Sequence, residues 1–292
     1  MTNSIGAPRT ELPGATTPDG FVFRRLSTHA EYEMCVRIQR ETWGEAFVDI
    51  VPGSILKVSQ RIGGVTAGAF DSAGRLMGFV FGMTGTQDGV LVHWSDMLAV
   101  HVDARNRGLG ARLKLYQREL LLPLGVRRMF WTFDPLMARN AHLNIVKLGA
   151  RPVEYVANMY GADTRSALGG SLGSDRFVVV WDLATDYRGE HASRVATGTN
   201  GDAQSPIVNP IALGDKFGVT PAAAFPDVPV VRVEIHGDVE QMIESDPDVT
   251  AGWRAATRRA FTHYLEHGYR VTDFSRGPTG NLYHYTLTRY AI

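Results

Sequence analysis

Apolar residues recur along the chain with two periods, and the switch between them marks where elements begin. Residues 21–26 read as a first strand, and Thr28-His29-Ala30-Glu31 forms a capping box that opens a helix with Tyr32, Cys35 and Val36 on its inner face. Residues 65–70 and 76–83 flank the turn Asp71-Ser72-Ala73-Gly74, which predicts a hairpin. The apolar run Met97-Leu98-Ala99-Val100-His101-Val102 predicts a further strand. After it come Arg105-Asn106-Arg107-Gly108-Leu109-Gly110, and then Leu109, Leu113, Tyr116 and Leu120 on one helical stripe. Downstream, residues 131–135 read as a strand ending at a proline and residues 140–150 as a helix closed by glycine. Residues 153–160 and 177–183 supply two closing strands.

The C-terminal stretch repeats this grammar on a smaller scale. Residues 230–235 read as a strand, and Asp246-Pro247 as an N-cap with a first-turn proline. Trp253, Ala256, Ala260, Phe261, Tyr264 and Leu265 make a helical stripe ended by Gly268. Residues 269–274 and 282–287 predict a hairpin across Gly277-Pro278-Thr279-Gly280. The expected organisation is a disordered tail over 1–20, a main domain over 21–183, a connector over 184–229 and a βαββ subdomain over 230–292. With so few residues the βαββ piece is marginal alone, so it is expected to dock on the main domain.

Composition narrows the function classes. A chain of 292 residues with 44% hydrophobic content has room for one large domain and a smaller one. A net charge of zero argues against a nucleic-acid or membrane-surface partner. The single cysteine, Cys35, allows no intrachain disulfide and reads as a core filler rather than a nucleophile. Neither a signal pattern nor a long apolar run is present, so a cytoplasmic location is the default. The nine histidines show no metal-ligand spacing, and no metal is expected.

The strand, glycine-rich turn and helix at residues 97–120 carry the most specific chemistry. Glycine lets backbone approach a ligand, and the N–H groups of a first helical turn attract an anion such as a pyrophosphate. A Walker loop needs G-x-x-x-x-G-K-[ST], and a dinucleotide fingerprint needs a third glycine where this chain has Leu113; neither is met. What does match is R-x-x-G-x-G after L-A-V, which resembles the pyrophosphate arm of the GNAT superfamily of acyl-CoA-dependent acyltransferases. The resemblance extends over residues 21–183. The runs W-T-F-D-P-L, N-A-H-L-N and L-G-A look like a bacterial group of GNAT enzymes, some associated with N-acylamino-acid racemases and succinylating amino acids.

That resemblance implies an α/β (α+β) fold with a mixed, mostly antiparallel central sheet splayed between its fourth and fifth strands. It implies acetyl-CoA or succinyl-CoA as acyl donor and the amine of a small molecule, such as an amino acid, as acceptor, with a homodimer compatible. Backbone of Met97, Leu98, Val100 and Val102 would pair with the pantetheine arm. The phosphates would lie over Arg107, Gly108, Leu109, Gly110 and Ala111, with Arg105 or Arg112 reaching an anionic oxygen or else standing as solvated charges. Asn140 and Asn144 share a helix face and could meet the CoA arm, with helix-surface hydrogen bonding as the alternative.

Acyl transfer needs a base for the amine and a proton for the departing thiolate. Strand alternation separates His93, Ser95, Met97 and Ala99 from Trp94, Asp96, Leu98 and Val100. Asp96, an acid in an otherwise apolar strand, is the first candidate base and His93 the second; a structural aspartate held by backbone N–H groups is the alternative. His142 reads as a helix-surface residue. The GNAT helix tyrosine position holds Ile145, which leaves Tyr160 or Tyr155 as candidate acids, or solvent, with a core role as the alternative for either tyrosine. The absent tyrosine also motivates a second reading, a GNAT-like module that binds CoA or a metabolite without turnover.

Overall fold

The computed structural model describes residues 15–16, 19–161, 172–185, 205–209, 225–278 and 281–290. The chain forms two compact units. The first takes the described residues up to Trp131 together with Asp182–Ala184, and the second takes those from Thr132 onward apart from Asp182–Ala184.

In the first unit, β1 (Ala15–Thr16), β2 (Val22–Arg25), β3 (Val65–Phe70), β4 (Leu76–Gln87), β5 (Val90–Val100) and β6 (Arg128–Phe133) neighbour one another in chain order. β6 runs on into the second unit. Each pairing is antiparallel except β5 with β6, which is parallel. Helix α1 (His29–Trp43) starts at the expected capping box: Thr28 Oγ1 accepts from the Glu31 N–H at 3.3 Å, and the Glu31 carboxylate accepts from the Thr28 N–H at 3.3 Å. The β3–β4 turn is closed by Asp71, whose Oδ1 accepts from the N–H groups of Ala73 and Arg75 at 3.0 and 2.8 Å.

Two elements of this unit go beyond the sequence expectation. Helix α2 (Gly53–Arg61) has no predicted counterpart. Strand β4 continues past Met83 to Gln87 and turns into β5 through Asp88 and Gly89, with φ of 52° and 75°. Two positive φ values give a two-residue hairpin whose twist suits the flanking strands. Leu26, Tyr32, Cys35, Ile38, Leu56, Phe79, Phe81 and Met97 belong to one buried cluster. Burial pushes the Cys35 thiol well above its ordinary pKa, as a core position requires.

The second unit holds the end of β6, α4 (Ala138–Ala141), β7 (Arg151–Val156), most of β8 (Arg176–Asp182), β9 (Val230–His236), α5 (Val239–Ser245), α6 (Pro247–Glu266), β10 (Tyr269–Arg276) and β11 (Leu282–Arg289). β7 and β8 pair antiparallel, and a second sheet has the order β10-β11-β9. The helix expected over 140–150 is α4 followed by a π-helical turn, His142–Lys147. The strand expected to reach residue 160 ends at Val156, and Asn158 then takes a positive φ of 49°.

Asp246 caps α6 through the Val249 N–H at 3.4 Å, with Pro247 in the first turn. Of the predicted stripe, Trp253, Ala256, Ala260, Phe261 and Tyr264 are buried and Leu265 is half-buried. Phe261 meets Phe177 of β8 at 4.7 Å, Tyr155 of β7 at 5.5 Å and Tyr285 of β11 at 5.3 Å between ring centroids. The C-terminal helix therefore shares one aromatic core with β7 and β8, strands that the sequence reading grouped with residues 21–183. Of the expected connector, Ile207 bridges Arg232 of β9 and the Asn209 side chain clips the Glu234 backbone at 2.8 Å on both N–H and C=O. Residues 186–204 and 210–224, most of the expected tail and the turn residues 279–280 lie outside the described residues.

Candidate functional site

The parallel ladder between β5 and β6 is short. It pairs Val92 with Arg128, His93 with Met129 and Trp94 with Phe130, and goes no further. From Ser95 to Val100, β5 is laddered to β4 alone. The sheet thus parts between the two strands expected to be the fourth and fifth, and among the described residues no β6 partner is laddered to Met97, Leu98 and Val100. An irregularity sits at the same place. Phe81 pairs with Met97 and Gly82 with Ser95, so Asp96 is the extra residue of a β-bulge, a device that re-aims a side chain.

The chain then passes through a short 3₁₀ turn, Val102–Ala104, and enters α3 (Leu109–Leu121). Asn106 and Gly108 both take left-handed φ values, 62° and 72°, which costs glycine nothing. No side chain caps α3 at Gly108, and the Arg112 N–H is already returned to the Gly108 carbonyl at 3.2 Å. The N–H groups of Leu109, Gly110 and Ala111 therefore open onto the turn with the helix dipole behind them. The arginines are held differently. Arg112 is gripped by both carboxylate oxygens of Asp19 at 2.8 and 3.1 Å, Arg107 lies over the Phe21 ring at 4.5 Å, and Arg105 Nε reaches the Val100 carbonyl at 3.5 Å. The Leu109 and Met97 side chains are buried, so these two residues can offer a ligand backbone rather than apolar surface, whereas the Val102 side chain is exposed.

Asp96 and His93 sit in contrasting surroundings. Asp96 is exposed, yet desolvation by the protein behind it raises its pKa above the ordinary aspartate value; a Trp94 hydrogen bond opposes the shift and the Asp49 charge adds to it. His93 is fully buried in a one-directional chain of hydrogen bonds. Thr84 Oγ1 donates to the Gly63 carbonyl at 2.8 Å, so it accepts from His93 Nδ1 at 2.9 Å, and His93 Nε2 accepts from Gln117 at 2.9 Å. Burial, with the Lys114 and Arg25 charges adding to it, lowers the His93 pKa to about 3. The imidazole is neutral, with both nitrogens engaged.

The chain of bonds continues to a residue the sequence reading passed over. Gln117 Oε1 accepts from Ser95 Oγ at 2.9 Å, and Ser95 Oγ accepts from Lys114 Nζ at 2.7 Å. Lys114 is 2% exposed, and its Nζ also lies 4.0 Å from the centroid of the Trp131 ring. Burial pushes its pKa well below that of a solvated lysine. Lys114 and Gln117 border the apolar stripe of α3 and were the available signal.

In the second unit, Tyr160 is exposed and its hydroxyl lies 3.1 Å from Thr132 Oγ1. Tyr155 instead donates to Asp175 in a tight contact, and burial raises its pKa far out of range for a proton donor near neutrality. Ile145 and Asn144 are buried, Asn140 is half-buried and His142 is exposed on the π-helical turn. The unit's charged core went unpredicted. Asp134 accepts from Arg254 at 2.5 Å and from the Leu136 N–H at 2.9 Å, and Asp175 accepts from Arg258 at 2.6 and 2.8 Å.

No protein-family model and no curated protein matches the chain. Several solved structures resemble part of it. The ribosomal-protein-S18-alanine N-acetyltransferase from Escherichia coli is 16% identical, over 56% of this chain and 95% of that one, with a TM-score of 0.43. An acetyltransferase of the GNAT family from Streptococcus pneumoniae is 17% identical, over 55% and 97%, with a TM-score of 0.43. Aminoglycoside 6'-acetyltransferase type Ii is 17% identical, over 56% and 97%, with a TM-score of 0.44.

Proposed function

We propose that the chain is a GNAT-type acyltransferase that moves an acyl group, acetyl or succinyl, from acyl-CoA to the amine of a small molecule by direct attack in a ternary complex. The observation that carries the reading is the parting of β5 from β6 beyond Trp94 and Phe130, directly before an uncapped α3 whose first turn follows a left-handed glycine. The freed edge of β5 suits the amides of a pantetheine arm, and the N–H groups of Leu109, Gly110 and Ala111 suit the pyrophosphate that follows it. Of the three arginines, Arg105 and Arg107 hold no carboxylate among the described residues, whereas Arg112 is committed to Asp19. The first two are the better candidates for phosphate oxygens.

In this reading Asp96 is the general base. It stands at the bulge on the strand that would hold the thioester, it is exposed, and its raised pKa makes its carboxylate a stronger base than an ordinary aspartate. His93 is unsuited to the role because both nitrogens are bonded and its pKa is near 3. Tyr160, exposed and with its hydroxyl shared among the described residues with Thr132 rather than a carboxylate, is a better candidate acid than Tyr155.

Amine-dependent release of free thiol from acetyl-CoA or succinyl-CoA, screened against pooled amines, tests the activity. Asp96→Asn should lower kcat by about 10² to 10⁴ while CoA still binds. A base must be ionised, so the acidic limb of the wild-type profile should lie above the ordinary aspartate value of 3.8 and vanish in the variant. Near-normal turnover with an unchanged profile would remove Asp96 from the mechanism.

A further inference from the structure

The apex of the β5–β6 parting is occupied. Ser95 and Trp131 are the first residues beyond the last ladder pair, Trp94 with Phe130, and would be the next pair if the parallel ladder continued. The two do not pair. Lys114 of α3 reaches both instead: its Nζ donates to Ser95 Oγ at 2.7 Å and sits 4.0 Å from the centroid of the Trp131 ring. Among the described residues it has no carboxylate partner. Burying an amine in that way is costly, since one hydroxyl and an indole face replace only part of its hydration. An apolar side chain of similar length would fill the same space without that cost.

We propose that Lys114 is a positioning residue, a wedge whose amine ties the first residue of β5 beyond the β5–β6 ladder to the first residue of β6 beyond it and so fixes where the two strands part. The proposal rests on the acyl-CoA reading of this site, because the parted edge is where the pantetheine arm would lie. Lys114 touches neither the acyl donor nor the acceptor in this scheme. Its effect runs through Ser95, the neighbour of Asp96, and through the Ser95–Gln117–His93–Thr84 chain that anchors the ladder's last turn. The wedge should therefore govern both the width of the CoA edge and the placement of the bulge.

The test uses the full-length protein and Lys114→Met, with Ser95→Ala as a second variant that keeps the lysine but removes its acceptor. Thermal unfolding, backbone amide exchange at residues 95–98 and CoA binding by calorimetry are measured on each. Lys114→Met should unfold no earlier than wild type and should exchange more slowly at 95–98, because the ladder can extend to Ser95 and Trp131. Its Kd for CoA should rise about tenfold, and Ser95→Ala should give a smaller rise, about threefold. Unchanged exchange and unchanged CoA affinity in both variants would overturn the wedge while leaving the acyl-CoA reading intact. Early unfolding with faster exchange would also overturn it, making Lys114 an ordinary core support. If wild type fails to bind CoA while Lys114→Met still slows exchange at 95–98, the wedge stands and the acyl-CoA reading falls.

Discussion

Each unit buries a basic side chain, and the two are held in opposite ways. Arg254, in the second unit, donates to the Asp134 carboxylate at 2.5 Å and to the Leu172 carbonyl at 3.1 Å, so its charge is neutralised where it is buried. Lys114, in the first, meets a hydroxyl and an indole face. A paired charge is a lock, because removing one partner strands the other without water. An unpaired amine stabilises little, and its persistence points to what it keeps apart. The second unit is accordingly sealed by its charges, whereas in the wedge proposal the first is held open by a buried amine.

The comparison breaks most sharply at Arg254. Replacing it with methionine leaves Asp134 buried with only the Leu136 N–H and a distant Arg176 at 3.7 Å, so Arg254→Met should destabilise the protein by about 3–5 kcal/mol. Chemical denaturation measures this. A loss below about 1 kcal/mol would mean that the pair contributes no more than a surface ion pair does.

Acid sharpens the comparison with a smaller effect. Burial opposes the Asp175 charge, but bonds from Arg258, Tyr155 and the Asn158 N–H outweigh it and hold its pKa below the ordinary value. A depressed folded-state pKa means that the stabilisation is fully present above the ordinary carboxylate range and is lost as pH falls through the lower folded value. The stability gap between wild type and Asp175→Asn should therefore be wide at neutral pH and close in acid. A gap independent of pH would show that Asp175 acts by packing rather than by charge.

How much of this was legible in the sequence follows the same division between local and distant causes. The capping box at Thr28 and Glu31, the Asp71 turn, the Asp246-Pro247 start and the α6 stripe all appear where expected, because each signal and its partner lie within a few residues. Helix α2 was hidden because its outer face carries exposed Ile55 and Val58, with Ile62 following, which blurs the amphipathic period. The Asp88-Gly89 hairpin was a readable signal that the polar end of β4 obscured. The turn before α3 was legible as a strand, glycine turn and helix, whereas the engagement of Arg112 by Asp19 spans 93 residues and leaves no local trace. Asp134 with Arg254 and Asp175 with Arg258 are separated by 120 and 83 residues, so only folding reveals them. The bulge that sets Asp96 apart depends on the register of β4, which alternation within β5 alone does not encode.

The central claim is that CoA lies along the freed edge of β5 with its pyrophosphate on the first turn of α3. Amide hydrogen exchange of the wild-type protein with and without saturating CoA tests it residue by residue. The account predicts slowed exchange at Met97, Leu98, Val100 and Val102 and at Leu109, Gly110 and Ala111, with β9, β10 and β11 unchanged. Protection confined to other segments, or none at a CoA concentration that saturates calorimetric binding, would contradict it.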